Sequence, residues 1–232
     1  MDFAVAPPPV VTLPIAGRGE RFPVNRVFCV GRNYAAHARE MGKDPEREAP
    51  FFFMKPACAV VQAGADEVTI PYPPMTSSFH HEIELVVAIE TGGADIPIDR
   101  ALEHVYGYSV GIDMTRRDLQ LEARDKGRPW EFGKSFSQSA PIGPIHRARN
   151  IGHPAKGSIT LTVNGATKQS SDIAKLIWSV PECIAYLSRY ERLEPGDLIM
   201  TGTPEGVNAV ARGDLMRGAV AGLGEIAVRV AS

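Results

Sequence analysis

Apolar positions along the chain come in short runs closed by glycine, proline or aspartate, the spacing of strands rather than of long helices. Arg26 to Val30 ends at Gly31 and reads as a buried strand, followed by Asn33 to Met41 with helical character. Further strands are expected at Val10 to Leu13, Phe51 to Met54, Ile83 to Glu90, Val105 to Ile112 and Leu198 to Thr201. At the C-terminus Ile226, Val228 and Val230 alternate with Glu225, Ala227 and Arg229, which predicts a half-buried strand. Asn164-Gly165 separates Ser158 to Val163 from Ala166 to Gln169; both central residues tolerate positive φ, so the segment predicts a two-residue hairpin. One helix is expected with Pro181 in its first turn and Ile184, Tyr186 and Leu187 on its apolar side, stopping before Pro195-Gly196.

Many strands, few helices, and 22 Gly and 19 Pro residues favour an α+β, β-dominated fold with peripheral helices over a doubly wound sheet. Pro7-Pro8-Pro9 and Gly17-Arg18-Gly19 set residues 1–25 apart as an N-terminal appendage to a single domain over 26–232. Gly31 to Pro50, charged and rich in turn formers, reads as a mobile excursion. The formal net charge of -2 offers no field for nucleic acid or anionic lipid, which leaves a small molecule as the expected partner. Three widely spaced cysteines fit a reducing cytoplasm, and no apolar run has the length of a membrane span or the form of a signal peptide.

The chemistry concentrates in Phe79-His80-His81-Glu82-Ile83-Glu84-Leu85, where two acids open an apolar strand. Period two places Glu82 and Glu84 on one face, and Asp113 follows the apolar run Val105 to Ile112, so a third carboxylate can converge on them. Three hard oxygen ligands favour Mg²⁺ or Mn²⁺, with Ca²⁺ as a substitute and zinc poorly matched. A plainer reading puts the two glutamates on the solvent face of an edge strand and Asp113 at a helix cap. His80 and His81 are either ligands themselves or groups that orient the carboxylates.

Six ordered blocks carry a resemblance: Cys29 to Tyr34, Phe53-Met54-Lys55-Pro56, His81 to Leu85, Gly111 to Asp118, Gly133-Lys134-Ser135-Phe136, and Thr201 to Val207. With them the chain resembles the fumarylacetoacetate hydrolase family, and within it the short bacterial acylpyruvases and fumarylpyruvate hydrolases. Ser137 and Asn208 depart from the usual Asp and Gly. The resemblance implies a mixed β-sandwich roll of the family's C-terminal-domain type, a homodimer, and Mg²⁺ or Mn²⁺ held by Glu82, Glu84 and Asp113. It implies hydrolysis of a carbon–carbon bond in an acylpyruvate. Pro71-Tyr72-Pro73-Pro74 and Asp125 to Trp130 look like the blocks of gentisate-pathway enzymes of aromatic catabolism, which makes fumarylpyruvate the expected substrate.

His37 and Glu40, three apart on a helix, form a base and its orienter, and the resemblance places them on a lid over about 31–50. Lys134 is the expected second electrophile beside the metal. Thr115 and Asp118 have capping-box spacing, which would start a helix beside Asp113. The resemblance makes Arg117, Gln120 and Thr201 substrate contacts, with Arg32 and Arg116 as candidates for a distal carboxylate. The same apparatus suits an oxaloacetate decarboxylase or a keto–enol isomerase, and a non-catalytic binder of metal-chelated keto acids would retain the carboxylates. The His37 and Glu40 pair favours hydrolysis, the reaction that needs an activated water.

Overall fold

The structure, a computed structural model, describes residues 3–36 and 48–232. Its strands in chain order are β1 (Thr12–Pro14), β2 (Arg21–Pro23), β3 (Val27–Gly31), β4 (Phe51–Lys55), β5 (Val60–Gln62), β6 (Glu67–Ile70), β7 (Phe79–His80), β8 (Ile83–Ile89) and β9 (Val105–Ile112). There follow β10 (Thr115–Arg116), β11 (Ala140–Ile142), β12 (His146–Arg147), β13 (Ser158–Val163), β14 (Ala166–Asp172), β15 (Leu198–Met200), β16 (Leu215–Val220) and β17 (Gly224–Val230). Short helices α1 (Arg117–Asp125), α2 (Glu131–Lys134), α3 (Ala148–Ile151) and α4 (Val180–Leu187) lie between them.

The main sheet runs β4-β3-β15-β8-β9-β11-β5, with β12 attached to β9. Laid flat, those seven strands would separate the two edges by about 29 Å at ~4.8 Å per strand. Yet Lys55 ends β4 and Val60 begins β5, and the backbone between them can span no more than about 18 Å. The sheet must therefore curl. The curl brings β9 and β15 together across β8: a Cβ built at Gly111 would lie 3.2 Å from Met200 Cε.

A second sheet, β14-β13-β16-β17-β6, packs on the outside of this roll. Ile83, Leu85, Val87 and Ile89 of β8 join Ile159, Leu161, Met216, Ile226 and Val228 in one core. Their neighbours Val86 and Ala88 point the other way, into a second core with Val27, Cys29, Leu198, Met200 and Ile142. β8 is buried on both faces, which explains its unbroken apolar run. The β1–β2 hairpin contributes Leu13, Ile15, Phe22 and Val24 to the second core.

The hairpin expected at Asn164-Gly165 joins β13 to β14, with φ of 50° and 82° at the two turn residues. The expected helix at Pro181 is α4, with Pro181 in its first turn. The Thr115 to Asp118 capping box does not form: α1 begins after Arg116 without a side-chain cap. Asp118 is drawn away by a loop, accepting from Thr76 Oγ1 at 2.6 Å and Ser77 N at 2.9 Å. Box geometry occurs instead at α4, where Ser179 N donates to Glu182 Oε2 at 2.9 Å. No helix among the described residues is long and apolar enough to cross a membrane.

Candidate metal and substrate site

Ile83 pairs with Ile112 across β8 and β9, so the residues just outside that pair, Glu82 and Asp113, must be neighbours. Asp113 N donates to Glu82 O at 2.8 Å. Glu84, one step into β8, lies on the same side as Glu82, the period-two arrangement the sequence implies. One oxygen from each of Glu82, Glu84 and Asp113 lies within 4.8 Å of the others, and all three residues are buried. The solvent-facing edge-strand reading therefore fails: β8 sits between β15 and β9, inside the sheet.

Cations surround the triad. Helix α1 presents Arg117 and Gln120 on one buried face, and the Arg117 guanidinium donates to Gln120 Oε1 and Glu82 Oε1. Helix α2 packs on α1 so closely that a Cβ at Gly133 would lie 2.9 Å from Gln120 Cα. That approach delivers the next residue: Lys134 Nζ donates to Glu82 Oε2 at 2.8 Å, Asp113 Oδ2 at 2.7 Å and Thr115 Oγ1 at 2.6 Å. Lys134 is 2% exposed and ends a helix, so it is not a solvated loop lysine.

Lys55 is the residue the sequence reading leaves without a role. It is fully buried, its Nζ 2.8 Å from Asp113 Oδ1. It also donates to Ser139 Oγ at 2.9 Å, Met114 O at 3.1 Å and Lys134 O. The signal was present in Phe51-Phe52-Phe53-Met54-Lys55: a lysine ending an apolar strand inside a motif is expensive to bury without an anion to meet it.

Burial, with Asp113 and Glu82 close by, pushes the Glu84 carboxyl well above the usual carboxylate range, although Gly202 N donates to its Oε2 at 2.7 Å. Burial also works against charge on Lys134, but Asp113 and Glu82 outweigh it and hold the ammonium above its ordinary value. A divalent cation would relieve the repulsion that the Glu84 shift records, and the donor set is all hard oxygen. These residues fit Mg²⁺ or Mn²⁺.

The histidines stand outside the carboxylate cluster. His81 Nδ1 lies 2.9 Å from Gln169 Oε1, which also accepts from Ile83 N at 3.1 Å and thereby braces the start of β8. His80 Nε2 meets Ser78 Oγ at 2.9 Å, and burial followed by repulsion from Arg117 lowers its pKa to about 4. A neutral His80 is the form at physiological pH.

Over the triad opens a narrow cleft lined by Arg32, Phe51, Phe53, Gln120, Trp130 and Thr203, and beside it a groove of about 620 Å³ shares Arg32, Phe51, Phe53 and Trp130. Phe51 and Trp130 meet edge to face at 5.3 Å between centroids, and the Arg32 guanidinium lies 5.3 Å from the Phe51 ring centre. Arg32 adopts φ of 55°, an uncommon conformation for a residue with a side chain. Of the expected substrate contacts, Arg32, Arg117 and Gln120 reach this cleft, as Lys134 does. Thr201 does not line it: its hydroxyl donates to Leu85 O at 2.9 Å, completing the β15–β8 ladder, and Thr203 takes the wall position. Arg116 turns away to stack 4.4 Å from the Phe136 ring centre. His37 and Glu40 lie outside the described residues.

Residues 26–231 match the family model for the fumarylacetoacetate hydrolase C-terminal domain. A fumarylpyruvate hydrolase of Ralstonia sp is 50% identical over 187 residues, spanning 81% of this chain and 95% of that one. A mitochondrial oxaloacetate tautomerase of Homo sapiens is 38% identical over 204 residues, 88% of this chain and 90% of the other. The crystal structure of a fumarylpyruvate hydrolase from Pseudomonas aeruginosa in complex with Mn²⁺ and pyruvate superposes with a TM-score of 0.98 at 58% identity, covering 99% of each chain. The fold of the curled sheet thus has its counterpart among these proteins, and the chain belongs to the fumarylacetoacetate hydrolase family.

Proposed function

We propose that this protein is a metal-dependent hydrolase that cleaves the carbon–carbon bond of fumarylpyruvate to give fumarate and pyruvate. The observation that carries the reading is the convergence of Glu82, Glu84 and Asp113 with Lys134 beneath one cleft, in a chain that superposes on a fumarylpyruvate hydrolase holding Mn²⁺ and pyruvate. The greater identity to the hydrolases than to the tautomerase favours hydrolysis over enol–keto exchange.

Glu82, Glu84 and Asp113 would hold the metal, which when bound supplies a Lewis acid for the pyruvyl oxygens. Gln120 and Arg117, on one face of α1, orient that end of the substrate. Water adds its oxygen to the carbonyl carbon of the fumaryl group while His37, oriented by Glu40, takes the proton. The bond to C3 of the pyruvyl unit then breaks, its electron pair passing to an enolate whose charge the Lys134 ammonium offsets. His37 returns that proton to C3, which yields pyruvate, and the acyl fragment leaves as fumarate. Arg32, with Phe51 and Trp130 at its side, receives the distal carboxylate. Residues 31–50 act as the lid that excludes bulk water once substrate is bound.

The same reading places the enzyme in gentisate catabolism, in the cytoplasm, as a homodimer; light scattering of the purified protein tests the last. The function itself is tested with protein stripped of metal and resupplied with Mg²⁺ or Mn²⁺, given fumarylpyruvate, acetylpyruvate and oxaloacetate in turn. Metal-dependent formation of pyruvate and fumarate, fastest from fumarylpyruvate, is expected. Preferential CO₂ release from oxaloacetate would replace hydrolysis by decarboxylation, and no turnover of any substrate would leave a binder of keto acids.

A further inference from the structure

Strand β14 is an edge of the second sheet, and its side chains are exposed or partly exposed except that of Gln169, which is fully buried. A buried amide costs free energy unless its hydrogen bonds are made. Here four partners meet it. Gln169 Oε1 accepts from Ile83 N at 3.1 Å and lies 2.9 Å from His81 Nδ1, while Nε2 donates to Thr203 Oγ1 and Pro204 O, each at 2.8 Å. The amide cannot be turned over, because Ile83 N only donates and Pro204 O only accepts.

The loop that carries Thr203 is pressed onto β14: at Gly206, with φ of 90°, an added Cβ would lie 2.0 Å from Lys168 O. Gln169 therefore ties the start of β8, where Glu82 and Glu84 stand, to the cleft wall. Thr203 ends this line of bonds; it is 3% exposed and lines the cleft with Glu82, Asp113, Arg117 and Gln120. A hydroxyl has one hydrogen of its own and accepts through its lone pairs. Since Thr203 receives a hydrogen from Gln169, it cannot send its own back along that bond, and its proton is left for an acceptor in the cleft.

We infer that Gln169 is a positioning residue: it commits the Thr203 hydroxyl to donate into the cleft, where the hydrogen meets an anionic oxygen at the pyruvyl end of the substrate. This rests on reading the cleft as a fumarylpyruvate site. The contact is the same in the bound substrate and in the transition state, so its loss raises KM and spares kcat.

Gln169→Glu tests this by one hydrogen. The acid has nearly the shape of the amide and keeps the acceptor for Ile83 N, but it carries at most one hydrogen where the amide has two. Pro204 O, which cannot donate, takes that hydrogen; Thr203, which can, turns its own proton to the acid and away from the cleft. An ionised acid turns it equally. With saturating Mn²⁺, KM for fumarylpyruvate is expected to rise about tenfold in Q169E, the scale of a hydrogen bond to a charged oxygen, with kcat close to that of the parent. T203V is expected to show the same rise and T203S to keep the parent's KM, and Q169E should add nothing further in the T203V background. A role confined to bracing β8 would leave KM unmoved, or raise it as much with Thr203→Val present as without; either result overturns the inference. KM does not depend on the fraction of a preparation that is folded. Should Q169E yield no folded enzyme, Gln169→Met takes its place, with a smaller rise because the hydroxyl is freed rather than turned, and again none in the T203V background. No turnover of fumarylpyruvate by the unaltered protein would overturn both the inference and the reading beneath it.

Discussion

Lys134 carries more than one duty, and its removal should expose them separately. Its ammonium touches two buried carboxylates, so Lys134→Met leaves negative charge uncompensated in the interior, a change that costs about 3–5 kcal/mol when one partner of a buried pair is lost. Mn²⁺ at the triad supplies positive charge to the same oxygens and stabilises the folded state by preferential binding. Urea unfolding of K134M is therefore expected to improve more with saturating Mn²⁺ than the unaltered protein does. Turnover should still fall by about 10²–10³ with metal present, the loss seen when one charge-stabilising donor is removed. Stability that responds to Mn²⁺ no more than in the parent would mean that lysine and metal do not share the carboxylates. At this scale the triad was legible because acids are costly inside an apolar strand, and Glu82 and Glu84 announce themselves by their spacing. Lys55 was not: its role depends on the sheet closing until a β4 side chain meets Asp113 at the end of β9. Thr201 and Thr203 flank one glycine, and which of them faces the cleft is decided by where the β15 ladder ends.

The elements that matter are fixed by their partners more than by their own sequences. Helix α1 begins where Arg117 N donates to Ser78 O, and Asp118 then ties the first turn to the Thr76 to Ser78 loop. Although partial burial opposes charge on Asp118, bonds from Thr76, Ser77 N and Leu119 N hold its pKa below the ordinary 3.8. A pKa depressed on folding contributes stability that is complete above the unfolded value and is lost as pH falls through the folded one. Asp118→Asn should accordingly be less stable than the parent at pH 6, with the gap closing below about pH 4. Thermal melts across pH 2.5 to 6, at intervals of about half a unit, measure this. A gap independent of pH would show that the charge contributes nothing. The Asn164-Gly165 hairpin was readable because its signal is local, two residues that accept positive φ between short strands. The Thr115 to Asp118 spacing misled because a loop serine and threonine, 41 and 42 residues earlier in the chain, offer Asp118 better donors than the helix N-terminus does.

Across the whole molecule the curled sheet depends on what fills its concave side. Leu13, Ile15, Phe22 and Val24 enter that core from the β1–β2 hairpin, although the family match starts at residue 26. Burying each such side chain contributes about 1.5–3 kcal/mol, and four together approach the 5–15 kcal/mol that typically holds a domain folded. Deletion of residues 1–25 should lower the melting temperature by tens of degrees or prevent folding, read by circular dichroism; a chain melting within a few degrees of the parent would make the hairpin expendable. The β-dominated class was legible from strand-sized apolar runs, but the order of strands was not, because nothing local to Leu198–Met200 says that it inserts between β3 and β8.

That insertion has a consequence for how the protein comes into being. β3 and β8 lie in the first half of the chain and β15 near its end, yet β15 bonds to both, parallel to β3 and antiparallel to β8. During synthesis β8 can pair with β9 at once, while its opposite edge stays bare until more than a hundred further residues have emerged. Gly202, the donor to Glu84, arrives with that same last insertion. The growing chain thus carries an exposed strand edge that must be shielded until β15 emerges, and its metal pocket is finished only when that late segment arrives.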